Sequence, residues 1–215
     1  MNFLAHLLLA DNTTEARIGS VLADFTRTAN ERLEAAFGPG IAAGVMQHRL
    51  VDAFTDKHPI VNHCAGLLFD SQRHAGRIVV DILFDHYLSV YWERFSTLSR
   101  EAFIERCHES LLAVDSLQCG LPERFRLFAR RYVEHQVLDS YATVDGVVLA
   151  LERVARRVSC ENRLASAAPD IECHYEALRD GFLSFFPLLK QAFAPHEHCP
   201  PDTAQVNAVA YTASA

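Results

Sequence analysis

The segment spanning residues 76–95, GRIVVDILFDHYLSVYWERF, constrains the fold more than any other part of the chain. Ile78, Val79, Ile82, Leu83, Tyr87, Val90 and Tyr91 recur at helical spacing and cover more than one face, so this helix must be enclosed by other elements. Asp81, Asp85 and His86 interrupt it, and its flanks leave no wide polar face for them. Burying ionised carboxylates without partners is costly, so a compensating group is required.

The remaining segments are also helical in period, and alternating strand-like runs are scarce. A first helix is predicted over residues 2–10. A second is opened by Asn12 as N-cap with Glu15 at N3, and carries Ile18, Val21, Leu22 and Phe25 on one stripe. The Gly-Pro-Gly at 38–40 breaks the chain before a third helix over residues 41–56, and Pro59 separates it from a fourth over 59–69. Later helices are expected over 100–114 with Ser99 as N-cap, from Pro122 onward, over 147–158 behind Thr143 or Asp145, and over 171–193. The expectation is an all-α, single-domain multi-helix bundle over residues 1–194. After Pro195 the residues are small and polar, predicting a flexible tail over 195–215.

Several function classes lose support. No apolar run approaches the roughly 20 residues needed to span a bilayer, and the opening MNFLAHLLLA lacks the basic start of a signal peptide. A cytoplasmic protein without membrane partners is expected. Six cysteines without a CxxC pair read as reduced structural thiols. A net charge of −7 argues against nucleic acid as a partner. Between Leu121 and Arg163, however, eight arginines face six acids, a local basic excess. Glycine-rich phosphate loops, GxSxG elbows and HExxH are absent. Composition leaves the oligomeric state open.

In the third predicted helix His48, Asp52 and Asp56 follow at i, i+4 and i+8, so they share a face. Asp81 and Asp85 repeat that spacing, with His86 adjoining. Asp24 ends the second apolar stripe, and His6 lies inside the first helix. A divalent ion explains this excess of imidazole and carboxylate in apolar segments economically, and the mixed set suits Mn, Mg, Fe, Co or Ni. A polar core network without chemistry is the alternative. In the catalytic reading, Asp81 orients a water and a histidine, His6 or His86, assists the leaving group.

The runs MNFLAHLLLA, GSVLADF, GVMQHRLVDAFTDKHP and VVDILFDHYLSVYW, in that order, resemble the acyl carrier protein phosphodiesterases, and ECHYEALRDGFLSFFP resembles them more loosely. That family looks like divergent relatives of the HD-domain metal phosphohydrolases, although here the doublet reads Asp85-His86, the reverse of the usual order. The resemblance implies a divergent HD-like helical fold and hydrolysis of the phosphodiester joining 4'-phosphopantetheine to a serine of holo-acyl carrier protein. It implies a divalent metal, preferably manganese, at Asp24, His48, Asp52, Asp81, Asp85 and His86, with His6 nearby. Because carrier proteins are acidic, Arg49, Arg126, Arg130 and Arg131, or Arg153, Arg156 and Arg157, become candidates for steering the substrate. The Phe, Leu and Tyr of the fifth and last predicted helices become candidates for lining an apolar cleft. A phosphohydrolase of nucleotides and a non-catalytic metal-binding helical protein remain open alternatives.

Overall fold

The computed structural model describes residues 2–68, 73–117, 119–156, 164 and 167–193. The predicted tail at 195–215 lies outside them, as do Arg157, Arg163, Cys160 and Cys199. Among the described residues the chain is all-α. Its helices are α1 (Phe3–Leu9), α2 (Thr14–Leu22), α3 (Leu33–Phe37), α4 (Pro39–Lys57), α5 (Pro59–Leu67), α6 (Arg73–Val90), α7 (Arg100–Leu112), α8 (Glu123–Glu134), α9 (Val137–Ser140), α10 (Val144–Ala155) and α11 (Ala168–Phe193).

Local chemistry sets most of the helix ends. Thr13, rather than Asn12, caps α2 by accepting from the Ala16 N–H at 3.2 Å, while Asn12 accepts from the Arg17 guanidinium. Ser99 caps α7 and Thr143 caps α10 in the same manner. Pro39 and Pro59 open α4 and α5 at their first positions, where a missing N–H costs nothing. Two short helices, α3 and α9, were not anticipated, because runs of five and four residues carry too little period to read. Helix α6 ends at Val90 and passes into a single 3-10 turn, Trp92–Arg94, instead of running on to Phe95.

Helix α6 is central, as its pattern demanded: Val79, Val80, Leu83, Phe84, Tyr87 and Leu88 are all fully buried. It packs against α1, α5, α10 and α11. The apolar face of α11 is spent on this core, with Phe182, Phe185, Phe186 and Leu189 fully buried, so it does not line a cleft. Helices α2 and α4 approach backbone to backbone. A Cβ on Gly19 would lie 2.1 Å from the Ile41 carbonyl oxygen, and one on Gly44 would lie 2.2 Å from that of Ala16. Only glycine allows this approach, and it brings the His48 turn of α4 under the end of α2.

No described cysteine is paired; Cys64 and Cys107 are buried and Cys173 is exposed. No helix among the described residues is long and apolar enough to cross a membrane.

Candidate metal centre

Four side chains from three elements converge where α1, the end of α2 and α4 meet. His48 and Asp52, one turn apart on α4, sit with Nε2 and Oδ2 at 3.0 Å. His6 of α1 brings its Nε2 to 3.1 Å from the other oxygen of Asp52. Asp24, on the single 3-10 turn Ala23–Phe25, places Oδ1 3.3 Å from His48 Nε2. The two imidazoles stack at 3.7 Å between centroids and 11° between planes. Ligand atoms of His6, His48 and Asp52 all lie within 4.8 Å of one another, a spacing one cation can bridge.

The surroundings orient these groups. His48 Nδ1 lies 2.7 Å from the Ser20 carbonyl oxygen and donates to it, which directs Nε2 toward the carboxylates. Asp24 is held by its neighbour Phe25, whose ring packs on Phe125 and Phe128 of α8 at 5.4 and 4.6 Å and whose carbonyl accepts from Arg124.

Burial alone would lower the pKa of His48, but the carboxylates of Asp24 and Asp52 outweigh it and push it up to about 9. Burial and the neighbouring His48 charge pull His6 down to about 4, so His6 is neutral. Burial would raise Asp52, yet hydrogen bonds from both histidines hold it well below the usual carboxylate range. One imidazolium therefore sits between two carboxylates, beside a neutral imidazole. The His48 contribution to stability is complete below its unfolded value of 6.5 and is lost as the pH rises through about 9. His6 acts in the opposite sense, costing stability as the pH falls from 6.5 toward about 4. Asp52 contributes above its unfolded value of 3.8 and loses that contribution in acid. Chelator-treated protein is thus expected to melt at progressively lower temperature as the pH rises from 7 to 9, where the His48 proton is lost. A melting temperature flat or rising between pH 7 and 9 would exclude His48 as the charged partner.

The cluster opens into a cleft of about 380 Å³. Asp24, Asp52, Asp56 and Asp81 line one side of its surface, from the 23–25 turn, α4 and α6. Phe128, Tyr132, Val137, Tyr141, Ala150, Arg153 and Val154 come from the α8–α10 region, and Asn2, Phe3, Ile78 and Ile82 complete the lining.

The family profile described as acyl carrier protein phosphodiesterase matches residues 1–189. The chain belongs to that family. A curated acyl carrier protein phosphodiesterase from Yersinia enterocolitica is 35% identical over 88% of this chain and 95% of the relative. One from Photorhabdus laumondii is 32% identical over 89% and 94%, and one from Escherichia coli strain CFT073 is 31% identical over 89% and 97%. No solved structure gives a significant match.

Of the residues that the acyl carrier protein phosphodiesterase resemblance nominated, the structure gathers His6, Asp24, His48 and Asp52, with Asp81 on the adjoining cleft surface. Burial, together with the charges of Asp52 and Asp56, raises the Asp81 pKa. Asp56 is exposed, lines the cleft and pairs with Arg77 at 3.5 Å. Asp85 and His86 face elsewhere. Asp85 is fully buried and accepts from the backbone N–H groups of Leu4 and Ala5 at 2.7 and 3.0 Å, satisfying the first turn of α1. His86 spends both ring nitrogens, Nδ1 on the Tyr141 carbonyl at 2.8 Å and Nε2 on the Tyr175 hydroxyl at 2.7 Å. Neither belongs to the cluster, because consecutive residues on a helix diverge by about 100° and α6 meets different neighbours on each side.

The arginines also separate. Arg126 donates to the carbonyls of Val114, Leu117 and Cys119, closing the α7–α8 connection. Arg130 grips Asp115 with two hydrogen bonds of 2.9 and 2.7 Å. Arg49 bonds Asn30 and Thr26 across the loop before α3. Arg131 is exposed on α8. Sequence reasoning offered Arg153 only as a steering candidate and did not single out Tyr132 or Tyr141, and their shared signal is only that the α8–α10 region turns one face toward the same cleft.

Proposed function

We propose that the protein removes the prosthetic group from holo-acyl carrier protein, hydrolysing the phosphodiester between 4'-phosphopantetheine and the carrier serine to give apo carrier protein and free 4'-phosphopantetheine. Family membership supplies the reaction. The observation that carries the site is the convergence of His6, His48, Asp52 and Asp24 at the edge of a carboxylate-lined cleft.

The donor set fits a divalent cation. Two imidazole Nε2 atoms and a carboxylate lie within bridging distance, and His48 is braced through Nδ1 on a backbone carbonyl, the arrangement metal-binding histidines adopt. His6, His48 and Asp52, with Asp24, would hold the ion. The mix of nitrogen and oxygen donors suits manganese, with magnesium, iron, cobalt or nickel as substitutes. When bound, such a cation supplies Lewis acidity and positive charge at the phosphate.

The protein's own groups then divide the work. Asp81, raised by burial and by Asp52 and Asp56, has the affinity for a proton that a base needs, and it receives the proton of the attacking water. His6, neutral against Asp52 because burial and His48 lower its pKa to about 4, serves as a holding group. His86 is excluded from that role by its two engaged nitrogens. The apolar surface of Ile78, Ile82, Val137 and Val154 receives the pantetheine arm. Arg131, exposed on α8, is left as a steering candidate, since Arg126, Arg130 and Arg49 are committed to their own partners.

Mass spectrometry of holo carrier protein incubated with the protein and manganese tests this directly. The expected result is conversion to the apo mass, abolished by a chelator. A holo mass that persists under every metal offered would reject the reaction.

A further inference from the structure

The cleft poses an electrostatic difficulty for an anionic substrate. Four carboxylates line it, and Arg153 is the one cationic side chain among its described lining residues. A phosphodiester entering that field meets repulsion, which a centre held by four groups at one edge offsets only locally.

Arg153 differs from the other arginines of the protein in a specific way. Each of the other partly buried arginines whose side chain is described has a partner: Arg17 with Ser110, Arg77 with Asn62, Arg179 with Asp180, for example. Arg153 is partly buried and has no hydrogen bond or ion pair among the described residues. Its neighbour on α10, Arg156, is exposed and pairs with Glu152 at 3.5 Å, so that charge is already committed. Arg153 and Tyr141 line the same cleft, and the Arg153 charge opposes the rise that burial and Asp85 give the Tyr141 phenol. A half-desolvated guanidinium with free donors is a costly feature for a protein to keep, and it is complementary to a phosphate, whose oxygens match its fork.

Resting on the proposed phosphodiesterase reading, we infer that Arg153 grips the phosphate of the substrate, and of the departing phosphopantetheine, from the α10 wall of the cleft. This wall, formed by α8 to α10, contributes no carboxylate to the lining. The phosphate is thereby held between Arg153 and the His–Asp cluster, and the ester bond to be broken is fixed relative to both. The same guanidinium gives the cleft a reason to prefer a phosphorylated arm over a dephosphorylated one of equal apolar length.

Binding measurements separate this role from turnover. Free 4'-phosphopantetheine and pantetheine are titrated into the wild-type protein, Arg153→Met and Arg153→Lys, with manganese present. Methionine keeps the length of the apolar stem and removes the charge, and lysine keeps the charge without the fork. The expected result is that R153M binds phosphopantetheine roughly 10- to 100-fold more weakly, with R153K intermediate and pantetheine affinity unchanged. The Michaelis constant for holo carrier protein rises with it, while affinity for apo carrier protein stays at the wild-type value. Equal phosphopantetheine affinity in wild type and a folded R153M overturns the assignment. So does a loss confined to apo carrier protein, which would make Arg153 a contact for the carrier's acidic side chains. Should R153M fail to fold, the same comparison with R153K decides. A wild-type protein that discriminates phosphopantetheine from pantetheine but leaves holo carrier protein uncleaved rejects the reaction while retaining the phosphate site, so the two failures are distinguishable.

Discussion

Replacing Asp52 by Asn is expected to lower turnover of holo carrier protein by roughly 10²–10⁴-fold while leaving the helical circular dichroism in place. Asp52 is the one side chain that touches both histidines, at 3.1 and 3.0 Å. Its charge holds the His48 imidazolium in the metal-free protein, and its two oxygens fix the separation of the two Nε2 atoms. The amide is isosteric, so packing is preserved, but it offers one acceptor where the cluster uses two. Calorimetric titration with manganese reads the same change as a loss of metal affinity. Wild-type turnover by D52N would dismantle the site as drawn.

Asp85→Ala is expected to act on a different quantity. Its carboxylate accepts the Leu4 and Ala5 N–H groups in a fully buried setting, so alanine strands two backbone donors at once. Each such donor costs about 1–3 kcal/mol, giving a loss of about 2–6 kcal/mol in the free energy of unfolding measured with urea. Helix α1 carries His6, so activity falls as a consequence of its displacement. Stability unchanged in D85A, together with lost manganese affinity, would return Asp85 to the metal centre and contradict the capping role. Burial pushes the Asp85 carboxyl up to about 7 against the pull of the two N–H groups, so the folded state favours its protonated form and its contribution to stability falls as the pH rises from 3.8 through about 7.

The contrast between Asp52 and Asp85 shows what the sequence could convey. Both are carboxylates at i, i+4 spacing to another polar group, in helices that are otherwise apolar. Spacing establishes which residues share a face, and the His48–Asp52 pairing follows from it directly. It does not reveal what that face meets. A buried carboxylate facing imidazoles and one facing the unsatisfied N–H groups of a neighbouring helix leave the same trace in the pattern. His86 failed for a related reason: a buried histidine that bonds a carbonyl and a tyrosine hydroxyl looks, from its neighbours in the chain, like a ligand. The helical class and the central place of α6 were legible because apolar period alone decides them. The cleft was not, because its lining is assembled from α4, α6 and the α8–α10 region, and Arg153 reads as one of several arginines that could steer an acidic partner until those elements are side by side.

The anchoring of α1 by Asp85 also has a consequence for the order in which a newly made chain acquires its chemistry. His6 leaves the ribosome well before the carboxylate that secures its helix, which lies 81 positions after Leu4. The walls that enclose the cleft follow later still, ending near Val154. Contacts of such separation form late in folding. A nascent chain therefore has no assembled centre through most of its synthesis, and hydrolytic competence arrives only when the bundle closes.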